Sequence, residues 1–405
     1  MNLKISDTKR KFPLFLIGIG LLFMPSTIRT SVFRSEWALI NIITWFGIVL
    51  LTAKYYNSGK VNVSKNGNPG IANPIWIILL IVLFGMESLL LPQFTTISEF
   101  KYIYATILPI YILYSVLDSE DVPCHIKLFS KLLTVASTIV VTVGLLDMFW
   151  GVGIGNSIAN FTNVASLIEA IRQGRMVSYF GHPLLTTEIM ILTFSFNTLV
   201  NYCIEKKSVP FVVYYSLISV IGIGMCGGKT GLILIAIEFA LLYIDKRGLK
   251  YFIIVTIAVY WAYLYGLLDI AIGRFIAGFE SGDLTTGRNT ALLHVIHDGT
   301  LKFDFLIGHV GINLSERMIA ALEYPPLRWA YLFGIWFSVL MCVVLFLIPA
   351  IKILANKNIK IFIVLVILIL DVNSYNGITT QSDQMLLYCV SVFLLLNLSY
   401  ALKEN

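Results

Sequence analysis

Trp329-Ala-Tyr-Leu-Phe-Gly-Ile-Trp-Phe-Ser-Val-Leu-Met-Cys-Val-Val-Leu-Phe-Leu-Ile-Pro-Ala-Ile351 carries no charged side chain from end to end. A helix rises about 1.5 Å per residue, so about 20 apolar residues cross a hydrocarbon layer of about 30 Å. Runs of the same kind fall at 13–29, 36–53, 74–91, 101–117, 129–150, 184–203, 209–225, 231–245, 250–268, 329–351, 360–377 and 385–402. Each is expected to be a helix, because a strand with unpaired edges cannot survive in lipid. Residues 1–405 therefore read as one all-α polytopic membrane domain of about 12 transmembrane helices. The seventh and eighth spans are the least clearly divided, with only Cys226-Gly-Gly-Lys-Thr-Gly231 between them.

The composition agrees. Of 405 residues, 58% are hydrophobic and 13% charged, with a mean hydropathy of +0.84. A water-soluble globule carries about a quarter charged residues. A cytoplasmic enzyme, a secreted disulfide scaffold and a disordered tail are thereby excluded. The five cysteines show no CxxC and no His/Cys ligand spacing, so neither a disulfide framework nor a zinc site is indicated. The basic N-terminus, Met1 to Lys11, precedes apolar residues as in a signal peptide, but no small-x-small cleavage site follows, and it reads as an uncleaved first span. A net charge of +6 suits a protein facing an anionic leaflet and makes no case for nucleic acid.

An even number of spans puts both termini on one side. With that side cytoplasmic, 18 of the 29 basic residues fall in inner segments and every inner segment has some, which satisfies the positive-inside rule. The type of base also divides. Inside, 16 of 18 are lysine; outside, 8 of 11 are arginine. Arginine's planar fork grips phosphate at two points, whereas lysine offers a point charge. The outer arginines fit either ordinary packing and surface ion pairing or a phosphate-bearing ligand at the outer face. Two outer connections, 151–183 and 269–328, are long, and long loops are uncommon unless functional.

In the first loop, Leu167, Ile168 and Ile171 share a helical face and Gly174 suits a C-terminal cap, as in an amphipathic helix at the membrane surface. Arg175-Met-Val-Ser-Tyr-Phe-Gly-His-Pro183 then leads into the sixth span, with His182 read as structural. The turn Cys226–Gly231 fits either a tight turn with a snorkelling Lys229 or an anion site at a helix N-terminus capped by Thr230. In the second loop, Thr286 to Gly299 reads as a helix with Arg288 in its first turn, placed to grip an anion together with free amides. His294 and His297 lie three apart, but no carboxylate motif completes a metal site. Asn313-Leu-Ser-Glu316 resembles a capping box for a short helix ending before Pro325-Pro326. Acids within spans are Glu87, Asp147, Glu188, Glu238 and Asp371, which read as scattered over different depths.

Several of these segments, in order, resemble a known family. Arg175 with Phe180-Gly-His-Pro183 is similar to the "R…FGNP" segment of O-antigen polymerases and ligases, the Wzy-like membrane glycosyltransferases. Gly227-Gly-Lys-Thr-Gly-Leu232 resembles their "S-R-T/G-x-L" segment. Arg288-Asn-Thr-Ala-Leu292 and Gly308-His-Val-Gly311 resemble the "R…W…G-x-G" part of their large outer loop. Glu323-Tyr-Pro-Pro-Leu-Arg-Trp-Ala-Tyr-Leu-Phe-Gly334 resembles "H-N-x-Y-L…G" before the next span. The likeness covers about residues 170–345. Lys229 stands where the family has arginine, and Glu323 where ligases have histidine, which leans toward a polymerase.

The resemblance implies a GT-C-like architecture in the bacterial cytoplasmic (inner) membrane, with the active site on its outer face. It implies undecaprenyl-pyrophosphate-linked glycans as donor and acceptor, with a flippase and a chain-length regulator as companions. Arg175, Lys229 and Arg288 would hold the departing pyrophosphate, with Arg274, Arg317 and Arg328 as further basic candidates. Glu323 would take the acceptor proton, with His309 or His294 next in order. Direct attack would invert the anomeric centre. The outer loops lack a DxD pair, so neither metal nor cofactor is expected. The competing expectation is a 12-helix transporter or flippase, although the two halves of the chain show no convincing similarity.

Overall fold

The computed structural model describes residues 2–34, 38, 40–57, 103–115, 117–243, 248–283, 285, 287–309, 314–375, 377–380 and 382–404. Among these residues every regular element is a helix: α1 (Asn2–Phe23), α2 (Ser26–Phe33), α3 (Ile42–Asn57), α4 (Leu108–Leu113), α5 (Val122–Trp150), α6 (Ile154–Thr162), α7 (Ala165–Arg172), α8 (Pro183–Leu199, prolonged by a wider turn to Ile204), α9 (Val209–Cys226), α10 (Lys229–Tyr243), α11 (Leu249–Leu264), α12 (Asp269–Glu280), α13 (Arg288–His297), α14 (Glu316–Ala321), α15 (Pro325–Phe333), α16 (Ile335–Ala355), α17 (Ile359–Asn373) and α18 (Ser382–Glu404), with a single helical turn at Gly377–Thr380.

Five of these are long and apolar enough to cross a membrane, at Val122–Trp150, Pro183–Ile204, Val209–Cys226, Ile335–Ala355 and Asp383–Lys403. Two bent pairs, α1–α2 and α11–α12, raise the number to seven if each is one span. The remaining runs are shorter helices, such as α3 with 16 residues and α10 and α17 with 15 each. The run at 74–91 lies outside the described residues. The quoted stretch 329–351 is not one rod. Gly334, at φ +92°, separates α15 from α16, and a Cβ there would lie 2.9 Å from the carbonyl oxygen of Phe305. The irregular stretch 304–309 passes across this break, where Ile335 N donates to Asp304 O at 3.1 Å.

α8 runs through the centre, with all residues from Leu185 to Leu199 buried. A helix buried on every side belongs in the heart of a bundle, and in lipid its polar groups must find partners within the protein. Asn197 accepts from Ser130 Oγ and donates to Thr134 Oγ1, each at 2.8 Å, and Thr193 meets Ser137 at 2.6 Å, stitching α8 to α5. α18 is similarly enclosed. By contrast, α16 exposes Val339, Leu347, Ile351 and Leu354, an apolar face suited to acyl chains.

Both bends have local causes. Pro25 lacks an N–H to continue α1, and α2 leaves at 75°. Gly266, at φ +74°, sits in the turn where α12 departs from α11 at 83°. Gly224 lets that turn approach α9, because a Cβ there would meet Leu267 O at 2.7 Å. The second bend swings α12, and Arg274 with it, over the end of α9.

Candidate functional site

Gly227 ends α9 in a left-handed conformation, φ +67°, and leaves the last carbonyls pointing outward. Arg175 Nε donates to Cys226 O and Arg274 Nη1 donates to Gly227 O, both at 2.6 Å. The backbone adds a third tie, with Met176 N donating to Met225 O at 2.8 Å. Two guanidinium groups from distant segments thus grip consecutive carbonyls of one turn. α10 begins at Lys229, so Thr230 lies inside its first turn and does not cap it as expected.

Arg288 occupies the first turn of α13. It is ion-paired through Nε with Glu323 Oε2 and donates through Nη1 to Ser374 O at the end of α17. The N-terminus of α13 is braced by Asp283, which accepts from Thr290 Oγ1 at 2.7 Å and from Thr285, while Thr285 Oγ1 accepts from Asn289 N at 2.9 Å. These bonds hold the Asp283 carboxyl well below the ordinary carboxylate range. Tyr324, beside Glu323, donates to Asn289 Oδ1 at 2.7 Å.

The cations feel one another. Burial, then Arg274 and Arg288, bring the Arg175 guanidinium down to about 10. Burial and the charges of Arg274 and Arg288 also lower Lys229, and burial and Arg288 lower Arg274. Burial leads each of these shifts, and the neighbouring guanidinium charges add to it, as expected of cations held close together. Arg175 Nη2 is buried without a hydrogen-bond partner. Among the described residues, four cations face two carboxylates, Glu323 and Asp283, and a buried guanidinium donor is unused. Such a site is complementary to a multivalent anion.

His182 joins them. It caps α8, its Nδ1 accepting from Leu184 N at 3.1 Å. That bond fixes the proton of the neutral ring on Nε2. Burial, with Arg175 and Arg288 nearby, pushes its pKa down to about 4. The structural role expected for it is present, but it also borders the cluster.

Arg175, Lys229, Arg288 and Glu323 are therefore brought together, with Arg274 added from the further candidates. The others are elsewhere. His309 stacks on Tyr331 at 4.6 Å, its Nδ1 3.2 Å from Tyr331 O and its Nε2 3.6 Å from Asp304. His294 is exposed on the last turn of α13. Arg317 makes an exposed pair with Asp298 at 3.7 Å, which accounts for its charge locally. Arg328 is half-buried on α15. Among the described residues no group of three or more His, Cys, Asp or Glu could hold a metal ion.

Two features are not foreshadowed. Arg29, one of the outer arginines, forks onto Asp383 in a buried pair, Nη1 to Oδ2 at 2.9 Å and Nη2 to Oδ1 at 3.1 Å. Glu188 and Asp371 do not lie at unrelated depths. Tyr375 OH donates to Glu188 Oε2, Gln384 Nε2 donates to Tyr375 OH at 3.1 Å, and Asp371 is close enough to feel the charge of Glu188. Comparison with protein-family models, curated proteins and solved structures finds no match.

Proposed function

We propose that the chain is a membrane glycosyltransferase that polymerises undecaprenyl-pyrophosphate-linked repeat units, with the spans numbering about 12 in a GT-C-like arrangement, the termini cytoplasmic and the cation cluster on the outer face. The observation that carries this reading is the convergence of Arg175, Arg274, Lys229 and Arg288 around the Cys226–Gly227 turn, with Arg175 Nη2 unused. Pyrophosphate departs readily once its developing charge is held by donors fixed in advance. The carbonyls of Cys226, Gly227 and Ser374 fix three guanidinium groups before any ligand arrives. Glu323 is the base in this reading. Arg288 pairs with it, and when Arg288 turns to the phosphate the carboxylate is released to accept the acceptor's proton.

The test is elongation of purified lipid-linked repeat units by the purified protein, without an ion gradient. Arg175→Ala and Arg288→Ala at normal abundance are expected to lose about 10²–10³ in rate. Undiminished chain length in both variants rules out the phosphate role.

A second reading is a transporter or flippase of the same lipid-linked unit, favoured by the buried carboxyl pair Glu188–Asp371 in the bundle interior. It predicts no elongation in that assay and gradient-dependent movement of the unit across vesicles.

A further inference from the structure

α12 has three chemically different sides. With about 3.6 residues per turn, Ala271, Arg274 and Gly278 share the side turned to the bundle. Ala271 and Gly278 are buried there, and Arg274 donates to Gly227 O. Ile272, Phe275, Ile276 and Phe279 follow the i, i+3, i+4, i+7 spacing along a second side. Phe275 and Phe279 meet edge to face with ring centroids 4.9 Å apart, and Ile276 and Phe279 are exposed. Asp269, Gly273 and Glu280 make the third side, and all three are exposed. An apolar flank beside an acidic one, on a helix anchored by its remaining side, matches a boundary between lipid and water.

The start of α12 marks the same boundary. The end of α11 exposes Tyr260, Trp261, Tyr263 and Tyr265, with the rings of Trp261 and Tyr265 6.4 Å apart. Tryptophan and tyrosine gather at the membrane–water interface. α12 departs just beyond Tyr265 at 83° to α11, so it runs along that level. A second apolar element stands at the Gly334 break. Phe305 and Leu306 are 64% and 65% exposed, and Ile307 is exposed beside them. Trp336 fastens this tip to α16, its N donating to Phe305 O at 3.3 Å and its Nε1 to Leu306 O at 2.8 Å. Ile335 and Val339, also exposed, carry the tip into the face of α16 that suits acyl chains. Exposed apolar surface of this extent needs a cover, and its continuity with a lipid-facing helix makes lipid that cover.

We propose that α12 and the Phe305–Ile307 tip are surface anchors, docked into the interfacial layer of the bilayer at the end of the bundle that carries the cation cluster. Lipid covers the Ile272–Phe279 flank and the tip, Asp269 and Glu280 stay in water, and Arg274 is held at headgroup height. The lipid contact is independent of the anion-binding reading above. Its consequence rests on that reading: the cluster takes a phosphate borne by a lipid moving in the membrane plane, in preference to free phosphate.

The test uses the full chain in vesicles of phosphatidylethanolamine and phosphatidylglycerol, with photoreactive benzoylphenylalanine replacing one residue at a time. Mass spectrometry is expected to find lipid adducts at Ile276, Phe279 and Phe305, and none at Asp269 and Glu280. Adducts at all five positions alike would make α12 the second half of a crossing and overturn the surface placement. Absence of lipid adducts at Phe279 and Phe305, or crosslinks there between two copies of the chain, overturns the lipid contact. The consequence is read from Ile276→Asn/Phe279→Asn. Elongation of lipid-linked repeat units should fall on the order of tenfold, with affinity for inorganic pyrophosphate as in wild type. Undiminished elongation, or an equal loss of pyrophosphate affinity, overturns the positioning role. If wild type neither elongates nor binds pyrophosphate, the anion reading fails, and the adducts alone decide the anchors.

Discussion

Arg29 and Arg175 are two arginines of one bundle in opposite electrostatic settings. Arg29 is 4% exposed and fully answered: its fork meets Asp383, and Nε donates to Ala38 O at 2.8 Å. Asp383 is answered in turn, accepting also from Ser26 N at 2.6 Å and Asn41 Nδ2 at 3.2 Å. Arg175 has no carboxylate partner among the described residues. Its neighbours are Arg274 and Arg288, and Nη2 meets nothing. A matched arginine ties α2 to α18 and is structural; an unmatched group of cations is a site whose complement comes from outside. The comparison separates stability from binding, and substitutions can break it from either end.

The largest effect belongs to the matched pair. Asp383→Ala leaves a buried guanidinium without its partner, which costs about 3–5 kcal/mol. Thermal unfolding in detergent should show that loss. Arg175→Ala should cost stability no more than about 1 kcal/mol, since it also removes repulsion from Arg274 and Arg288. A variant pair with the reverse ranking would abolish the distinction.

His182 sharpens the comparison through pH. Its pKa is about 4 in the fold against an ordinary value of 6.5. A histidine whose folded pKa is depressed contributes stability above its unfolded value and loses it as pH falls toward the folded one. The protein should therefore lose on the order of 3 kcal/mol between about pH 6.5 and pH 4. His182→Asn keeps a cap acceptor and removes the titration, so its stability should be flatter across that window. An unchanged acid slope in unfolding measurements would place the titration elsewhere.

What the sequence made legible follows from how local each signal is. Helical class needs only hydropathy along the chain, and α5, α8, α9, α16 and α18 stand close to where the apolar runs lie. Caps are local too: Gly174 at φ +68° and Gly299 at φ +62° follow α7 and α13 as expected. Arg175, Lys229, Arg288 and Glu323 were singled out by motif order, and they do converge. Arg274 and Arg317 looked alike in one dimension, because only the 83° bend before α12 distinguishes them. Glu188 and Asp371 looked scattered because 183 residues separate two positions that adjacent helices bring together. The run 329–351 looked continuous because hydropathy does not register the φ of Gly334.

Gly227→Ala probes the turn itself. A left-handed φ costs a non-glycine residue about 1 kcal/mol, and the new Cβ would lie 3.2 Å from Arg274 Cδ and 3.4 Å from Arg175 Nε. Ile270 and the Arg274 side chain must give by a few tenths of an ångström, so anion affinity should fall by on the order of tenfold while the helices stay folded. Pyrophosphate titration with a parallel melting curve separates the two effects.

The smallest expected effect marks the boundary of the site. Arg317 lies in the same long connection as Arg288, but its charge is met by Asp298 at 3.7 Å, with 62% of its side chain and 47% of its partner's exposed. Exposed pairs of this kind contribute between about 0 and 1 kcal/mol. Arg317→Ala should leave both pyrophosphate affinity and melting temperature within error of wild type, whereas Arg288→Ala removes the cation paired with Glu323. If Arg317→Ala weakened anion binding as much as Arg288→Ala, the relevant quantity would be the total positive charge of the connection and not the geometry around the Cys226–Gly227 turn. Equal loss would thus dissolve the distinction between an arginine answered by its own surface partner and one set among an excess of cations, on which the site is defined.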